Sequence, residues 1–165
     1  MKVGLRVIKT VLAVALCFLI DAFRGGMPFF AVISAILCLQ KGKVETYSKA
    51  ITRVLGTLIG GGYGLFSLLL FQYTGVAYKS PVYVLVISLM AILIINTNLW
   101  IKNPISVGFS CVVYYSVVIG HFQDLDPFLF VRNRMLDTFI GIGVALFLNY
   151  IFPFKGETKD PMLSQ

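Results

Sequence analysis

The chain has 165 residues, 58% of them hydrophobic and 13% charged, with a formal net charge of +7 and a positive mean hydropathy. A soluble domain of this size has no use for so much apolar surface, whereas a chain that crosses a bilayer several times needs it. The basic residues sit in short loops between apolar segments and form no clustered face, which argues against a nucleic-acid partner and makes them topology signals.

In chain order, Lys2, Arg6 and Lys9 precede Val11–Ile20 in the manner of a secretory leader. No small-x-small cleavage site follows, and the chain runs on through Asp21-Ala-Phe-Arg-Gly-Gly into more apolar sequence, so this segment reads as a retained first helix. Six apolar stretches result: Val3–Phe23, Met27–Gln40, Ala50–Tyr73, Pro81–Asn98, Pro104–Phe122 and Phe130–Phe152. A membrane helix takes about 20 residues. The second stretch falls short of this and must tilt, borrow residues beyond Gln40, or sit in a thinned bilayer. The connections are brief and carry breakers: Gly25-Gly26, Lys41-Gly42-Lys43, Tyr73-Thr-Gly-Val and Asp124-Leu-Asp-Pro127. Nothing resembles a linker. The pattern predicts an all-α integral membrane protein with one six-helix transmembrane domain over residues 1–153 and a short cytoplasmic tail over 154–165.

The third and sixth stretches open alike. Arg53-Val-Leu-Gly-Thr-Leu-Ile-Gly-Gly-Gly62 returns as Arg134-Met-Leu-Asp-Thr-Phe-Ile-Gly-Ile-Gly143, with six of ten positions identical. Pro28-Phe29 and Pro104-Ile105 likewise open the second and fifth stretches, at positions where a helix tolerates Pro. A three-helix unit used twice inserts its second copy upside down, an arrangement found in transport folds with the substrate path between the halves. The expectation is two inverted three-helix repeats, about 1–75 and 80–153. With the N-terminus in the cytoplasm, ten Lys and Arg lie on the inner side, and four (Arg24, Lys79, Arg132 and Arg134) lie outside. That asymmetry places both termini in the cytoplasm.

Arg53, Thr57 and Gly60 share a helix face, and Arg134, Thr138 and Gly141 repeat it. A guanidinium in an apolar segment usually faces protein or water and forks onto carboxylates. Such a pair, each with a hydroxyl one turn on, suits a small organic anion. Snorkelling anchors at the interface are the other reading, and both stay open. Asp137 replaces Gly56 of the first copy. It reads either as an ion-pair partner of Arg134, tuning how that arginine holds an anion, or as a proton-coupling acid. Gly56, Gly60 and Gly64 make a stripe for close helix packing, and Gly141, Ala145 and Asn149 make a similar one.

The remaining polar groups read more plainly. Trp100, beside Asn96, Asn98 and Lys102, reads as an interfacial anchor. Tyr114, Tyr115 and Ser116 read as helix-to-helix hydrogen bonds or as a path lining. His121 near Asp124 and Asp126 is either a solvated loop residue or a pH sensor. Cys17, Cys38 and Cys111 lack metal-ligand spacing and read as buried thiols. No metal, no cofactor and no catalytic constellation is expected, hence no enzyme.

On these residues the chain resembles the bacterial aromatic acid exporter and fusaric acid resistance superfamily, to which plant aluminium-activated malate channels are related. The resemblance runs from the basic first helix ending near Pro28-Phe29-Phe30, through Arg53-x-x-Gly56-Thr57-x-x-Gly60, to Arg134-x-x-Asp137-Thr138-x-x-Gly141 and on to Asn149. It implies a six-helix module, often dimeric, that moves organic anions such as aromatic carboxylates, with Arg53 and Arg134 facing the anion. Many relatives continue into a cytoplasmic helical domain, whereas this sequence stops soon after its sixth stretch.

The expected function is a permease, exporter or channel, for small organic anions, working as a homo-oligomer (a dimer by preference) in the bacterial cytoplasmic membrane. The alternative is a non-transporting membrane module that binds anionic lipid or a partner protein through the basic loop Lys41–Lys49.

Overall fold

The computed structural model describes residues 5–25, 28–40, 43–120 and 126–152. Among them it contains six α-helices, one 3-10 turn and no strand. The helices are α1 (Leu5–Arg24), α2 (Phe29–Cys38), α3 (Lys43–Thr74), α4 (Pro81–Trp100), α5 (Val107–Gly120) and α6 (Pro127–Ile151), with the 3-10 turn Pro104–Ser106 leading into α5.

Local chemistry sets several boundaries. The Ser80 hydroxyl accepts from the Tyr83 amide at 3.1 Å, and Pro81 takes the first helical position of α4, where its missing N–H costs nothing. Asp126 caps α6 in the same way, accepting from Leu129 N at 3.1 Å just ahead of Pro127. Helix α1 stops at Gly25, whose φ of +68° is the left-handed conformation that glycine adopts freely. Helix α4 closes with Lys102 in that same region, at φ +59°.

Among the described residues, three helices are long and apolar enough to cross a membrane: Val44–Thr74 of α3, Pro81–Trp100 (α4) and Phe128–Ile151 of α6. Helix α1 has the length but carries Lys9, Asp21 and Arg24. Helix α2, at 10 residues, spans only about 15 Å, half the hydrocarbon core. Many large apolar side chains face outward, among them Leu85, Leu89 and Ile92 of α4 at 61%, 53% and 54% exposure. Such a surface is expected against lipid and would be an aggregation liability in water.

The chain forms two compact units. Unit one comprises residues 1–50 and 140–165: α1, α2, the first turns of α3 and the end of α6. Its core mixes small side chains, Ala13, Cys17, Ala31, Ala35, Cys38 and Ala145, with Leu39, Val144 and Leu148. Helix α6 approaches α2 so closely that a Cβ at Gly141 would meet the Ala31 carbonyl oxygen and the Ser34 side chain.

Unit two comprises residues 51–139. Phe71, Tyr83, Ile87, Ile94, Tyr114 and Val118 form its main cluster, with Leu68, Val117 and Val131 beside it. Helix α3 lies against α5 along Gly56, Gly60 and Gly64. A Cβ at these positions would meet the Phe109 ring, the Ser110 carbonyl oxygen and, at 2.9 Å, Val117. Polar bonds sit inside this packing: Tyr83 Oη donates to Val118 O at 3.2 Å, and Tyr63 Oη and Thr97 Oγ1 lie 2.8 Å apart. Asn98 is fully buried; its Oδ1 accepts from Ser106 at 2.6 Å and Ser110 at 3.1 Å, and its amide donates to Ile94 O at 2.8 Å.

Candidate anion site

Arg53, Thr57, Arg134, Asp137 and Thr138 all belong to unit two. Helix α3 positions the first two, and α6 positions the others. Arg134 is 6% exposed, Asp137 8%, Thr138 3% and Thr57 1%, while Arg53 is half-buried. A guanidinium withdrawn this far from water persists only with compensating charge and hydrogen bonds. Arg134 interacts electrostatically with both Asp137, which attracts it, and Arg53, which repels it. Arg134 thus lies in the fields of both a carboxylate and a second cation. The Arg53 guanidinium lies over the Phe109 ring, 3.8 Å from its centroid, an attraction to the ring face that consumes none of its N–H donors.

The two threonines differ. Thr138 spends its hydroxyl on the Arg134 carbonyl at 3.0 Å, one turn back. The Thr57 hydroxyl is buried with no hydrogen-bond partner, an arrangement that ordinarily costs about 1–3 kcal/mol. Nη1 of Arg134 is also buried without a hydrogen bond, although the residue has other interactions. Chemically, the cluster offers guanidinium forks and a hydroxyl donor, groups matched to a carboxylate.

The other residues singled out from sequence lie elsewhere. Gly141 and Asn149 fall in unit one. Tyr114 is buried with its hydroxyl 3.2 Å from Ser67 Oγ, Tyr115 packs edge-on against it at 5.2 Å, and Ser116 donates to Val113 O at 2.8 Å. Trp100 is 86% exposed at the end of α4. His121, Asp124, Lys41 and the tail beyond Phe152 lie outside the described residues.

The sequence reading missed a second polar centre, in unit one. Lys9 is 1% exposed, and its ammonium donates to Asn149 Oδ1 at 2.9 Å. The Asn149 amide donates to Thr46 Oγ1 at 2.9 Å, and Thr46 in turn accepts from Gln40 N at 3.2 Å. Thr46 and Asn149 also line an aromatic-walled groove of about 460 Å³ with Tyr47, Leu146, Phe147 and Tyr150. A signal was available. Lys9, Ala13, Cys17 and Asp21 recur every four residues, and all four are buried, so the small residues between the two charges mark the packed face of α1.

The family model for aromatic acid exporter family member 1 matches residues 1–152. The chain belongs to the aromatic acid exporter family. Among curated proteins it is similar to UPF0421 protein OB2406 of Oceanobacillus iheyensis, with 29% identity over 147 residues covering 89% of this chain and 39% of that protein. It is also similar to UPF0421 protein YgaE of Bacillus subtilis, with 26% identity over 161 residues covering 96% of this chain and 42% of that protein. The chain therefore spans about two fifths of the length of these relatives. No solved structure matches it. Membership places the chain in a family of bacterial membrane exporters, in keeping with its apolar helices.

Proposed function

We propose that the chain is the membrane-spanning part of a permease for small organic anions, aromatic carboxylates foremost, acting as a homo-oligomer in the bacterial cytoplasmic membrane. One observation carries this reading. In a single unit, buried Arg134 lies within electrostatic reach of both Arg53 and Asp137, and a buried Thr57 hydroxyl has no hydrogen-bond partner. A mobile carboxylate supplies negative charge beside the arginines and an acceptor for the Thr57 hydroxyl. Asp137 moderates the hold of Arg134, so that the anion is bound loosely enough to leave.

Six crossings, arranged as two three-helix copies inserted in opposite senses with both termini in the cytoplasm, complete the proposal. The matched packing supports it: Gly60 rests on the Ser110 carbonyl as its sequence counterpart Gly141 rests on that of Ala31.

The test is flux into proteoliposomes holding the purified full chain, with phthalate, malate and chloride compared. Phthalate is the better aromatic probe because it stays ionised near neutrality, whereas benzoic acid crosses a bilayer unaided. Arg134→Ala should cut phthalate flux by about tenfold to a hundredfold, the value of one charge-assisted hydrogen bond at about 1.5–3 kcal/mol, with membrane insertion intact. Unchanged flux would remove Arg134 from the path. No flux of any anion in folded wild-type protein would end the permease reading and favour a lipid- or partner-binding module.

A further inference from the structure

A hydroxyl on a helix has an acceptor within one bond rotation, the backbone carbonyl four residues back. Ser88, Thr97, Ser110 and Thr138 all take it, at 2.8–3.0 Å. Thr57, the repeat counterpart of Thr138, does not. Its hydroxyl oxygen is buried, and no hydrogen bond reaches it among the described residues.

Two glycines fix what surrounds this hydroxyl. Gly60 of α3 faces Ser110 and Val113 of α5, whereas Gly61 faces Met135 and Val131 of α6. Thr57 comes three residues before one glycine and four before the other. Its side chain therefore occupies the strip between those two faces, one turn earlier. With the residue 1% exposed, the hydroxyl is enclosed where α3, α5 and α6 meet. Arg53 stands one further turn back on α3, and Arg134 directly precedes Met135 on α6.

The two kinds of donor read different properties of a ligand. A guanidinium attracts chiefly by charge, which anions of equal charge bring in equal measure. A neutral hydroxyl attracts through the strength of the acceptor. A carboxylate oxygen belongs to the conjugate base of a weak acid and accepts strongly, whereas a sulfonate oxygen belongs to that of a strong acid and accepts weakly. A site with a buried hydrogen-bonding group rejects ligands that leave the group unpaired.

We propose that Thr57 is the specificity-determining residue of the anion site, donating to a carboxylate oxygen of the ligand and so selecting carboxylates over sulfonates of the same charge. Thr138, whose hydroxyl is turned onto its own helix, does not share this role despite the repeat. The role rests on the anion-site reading and deepens it.

A hydroxyl kept for a ligand costs stability while the ligand is absent. Thr57→Val keeps the shape and removes the unbonded group, so the ligand-free variant should melt at or above the wild-type temperature in detergent. Ligand preference should move the other way. The wild type should bind benzoate about tenfold or more tightly than benzenesulfonate, the worth of a hydrogen bond to a charged acceptor. Thr57→Val should bring the two within about threefold by weakening benzoate, and Thr57→Ser should keep the preference. The readout is the ligand-induced rise in melting temperature of the full chain, titrated with each anion at neutral pH.

A Thr57→Val variant that melts well below the wild type, or one that retains the preference, overturns the proposal. So does a wild type that binds the two anions equally or binds neither. Phthalate flux in proteoliposomes decides the permease reading separately. Its absence beside a preference that depends on Thr57 would defeat transport and leave the specificity role standing; flux without that dependence would do the reverse.

Discussion

The Arg53 guanidinium carbon lies over the Phe109 ring, 3.8 Å from its centroid, and that ring also occupies the space beside Gly56 that a Cβ would need. The cation on α3 is therefore positioned by an aromatic on α5, and the glycine one turn along admits the ring. Phe109→Leu should retain most of the packing while removing the aromatic face, at a cost of about 0.5–2 kcal/mol in the placement of Arg53. We expect phthalate flux to fall by about twofold to thirtyfold, with thermal unfolding in detergent shifted little. A large drop in melting temperature with flux preserved in the remaining folded protein would make Phe109 a packing residue only.

The glycines divide by what they face, and substitution should divide them the same way. Gly60→Ala drives a methyl into the Ser110 carbonyl and Gly141→Ala drives one into the Ala31 carbonyl, and backbone cannot swing aside as a side-chain end can. Each should destabilise by about 1–3 kcal/mol or more. At Gly62 and Gly143 a Cβ meets nothing within 4 Å, so alanine should be neutral or stabilising by up to about 1 kcal/mol in the isolated chain. Melting temperatures of the four variants in detergent check this. If Gly62→Ala weakens the oligomer while leaving the monomer unharmed, a second copy closes on that notch.

How far the sequence reading reached follows from what hydropathy measures. It bounded the fourth stretch at Pro81–Asn98, close to α4 (Pro81–Trp100), because there the apolar stretch opens directly after the Ser80 cap. It began the third helix at Ala50, whereas α3 begins at Lys43, because a helix does not stop where the apolar stretch stops; its polar first turns simply leave the lipid. It extended the second stretch over Met27–Gln40, but the helix is only Phe29–Cys38, with Leu39 already extended at ψ 100°. The stretch from Pro104 similarly divides into a 3-10 turn and a shorter α5. Within the site, the spacing of Arg134, Asp137 and Thr138 put them on neighbouring turns. Spacing could not tell that Thr57 would be left unbonded while Thr138 turns back onto its own helix. Lys9 counts in the sequence only as an inner-side topology charge, and only the packing around it makes it buried.

Asn98 makes a sharper test of the buried polar network in unit two. Its Oδ1 collects hydroxyls from Ser106 and Ser110, but both serines also have backbone carbonyls in reach, Asn103 O and Ser106 O, each at 2.9 Å. Removing the amide leaves those hydroxyls with alternatives. Asn98→Leu should therefore cost only about 1–2 kcal/mol despite complete burial. Asn98→Asp should cost more, because it forfeits the donor to Ile94 O and introduces a charge. Chemical denaturation in mild detergent, comparing the two variants, would show the order. A Leu variant less stable than Asp would mean that the serines cannot redirect their bonds.

Lys9 and Asn149 should respond unequally to loss of their partners. The bond between them joins a charged donor to a neutral acceptor at 2.9 Å with the lysine 1% exposed. Lys9→Met removes the charge and keeps most of the volume of the stem; Asn149 retains its bond to Thr46. Asn149→Leu instead leaves the ammonium in place and removes one of its acceptors. Depriving a buried charge of a partner costs about 3–5 kcal/mol, whereas replacing the charged member by an apolar one of similar size is often close to neutral. Asn149→Leu should accordingly lower thermal stability well below that of Lys9→Met, and the double variant should recover most of the loss. Equal effects of the two single variants would show that the ammonium draws most of its compensation from elsewhere.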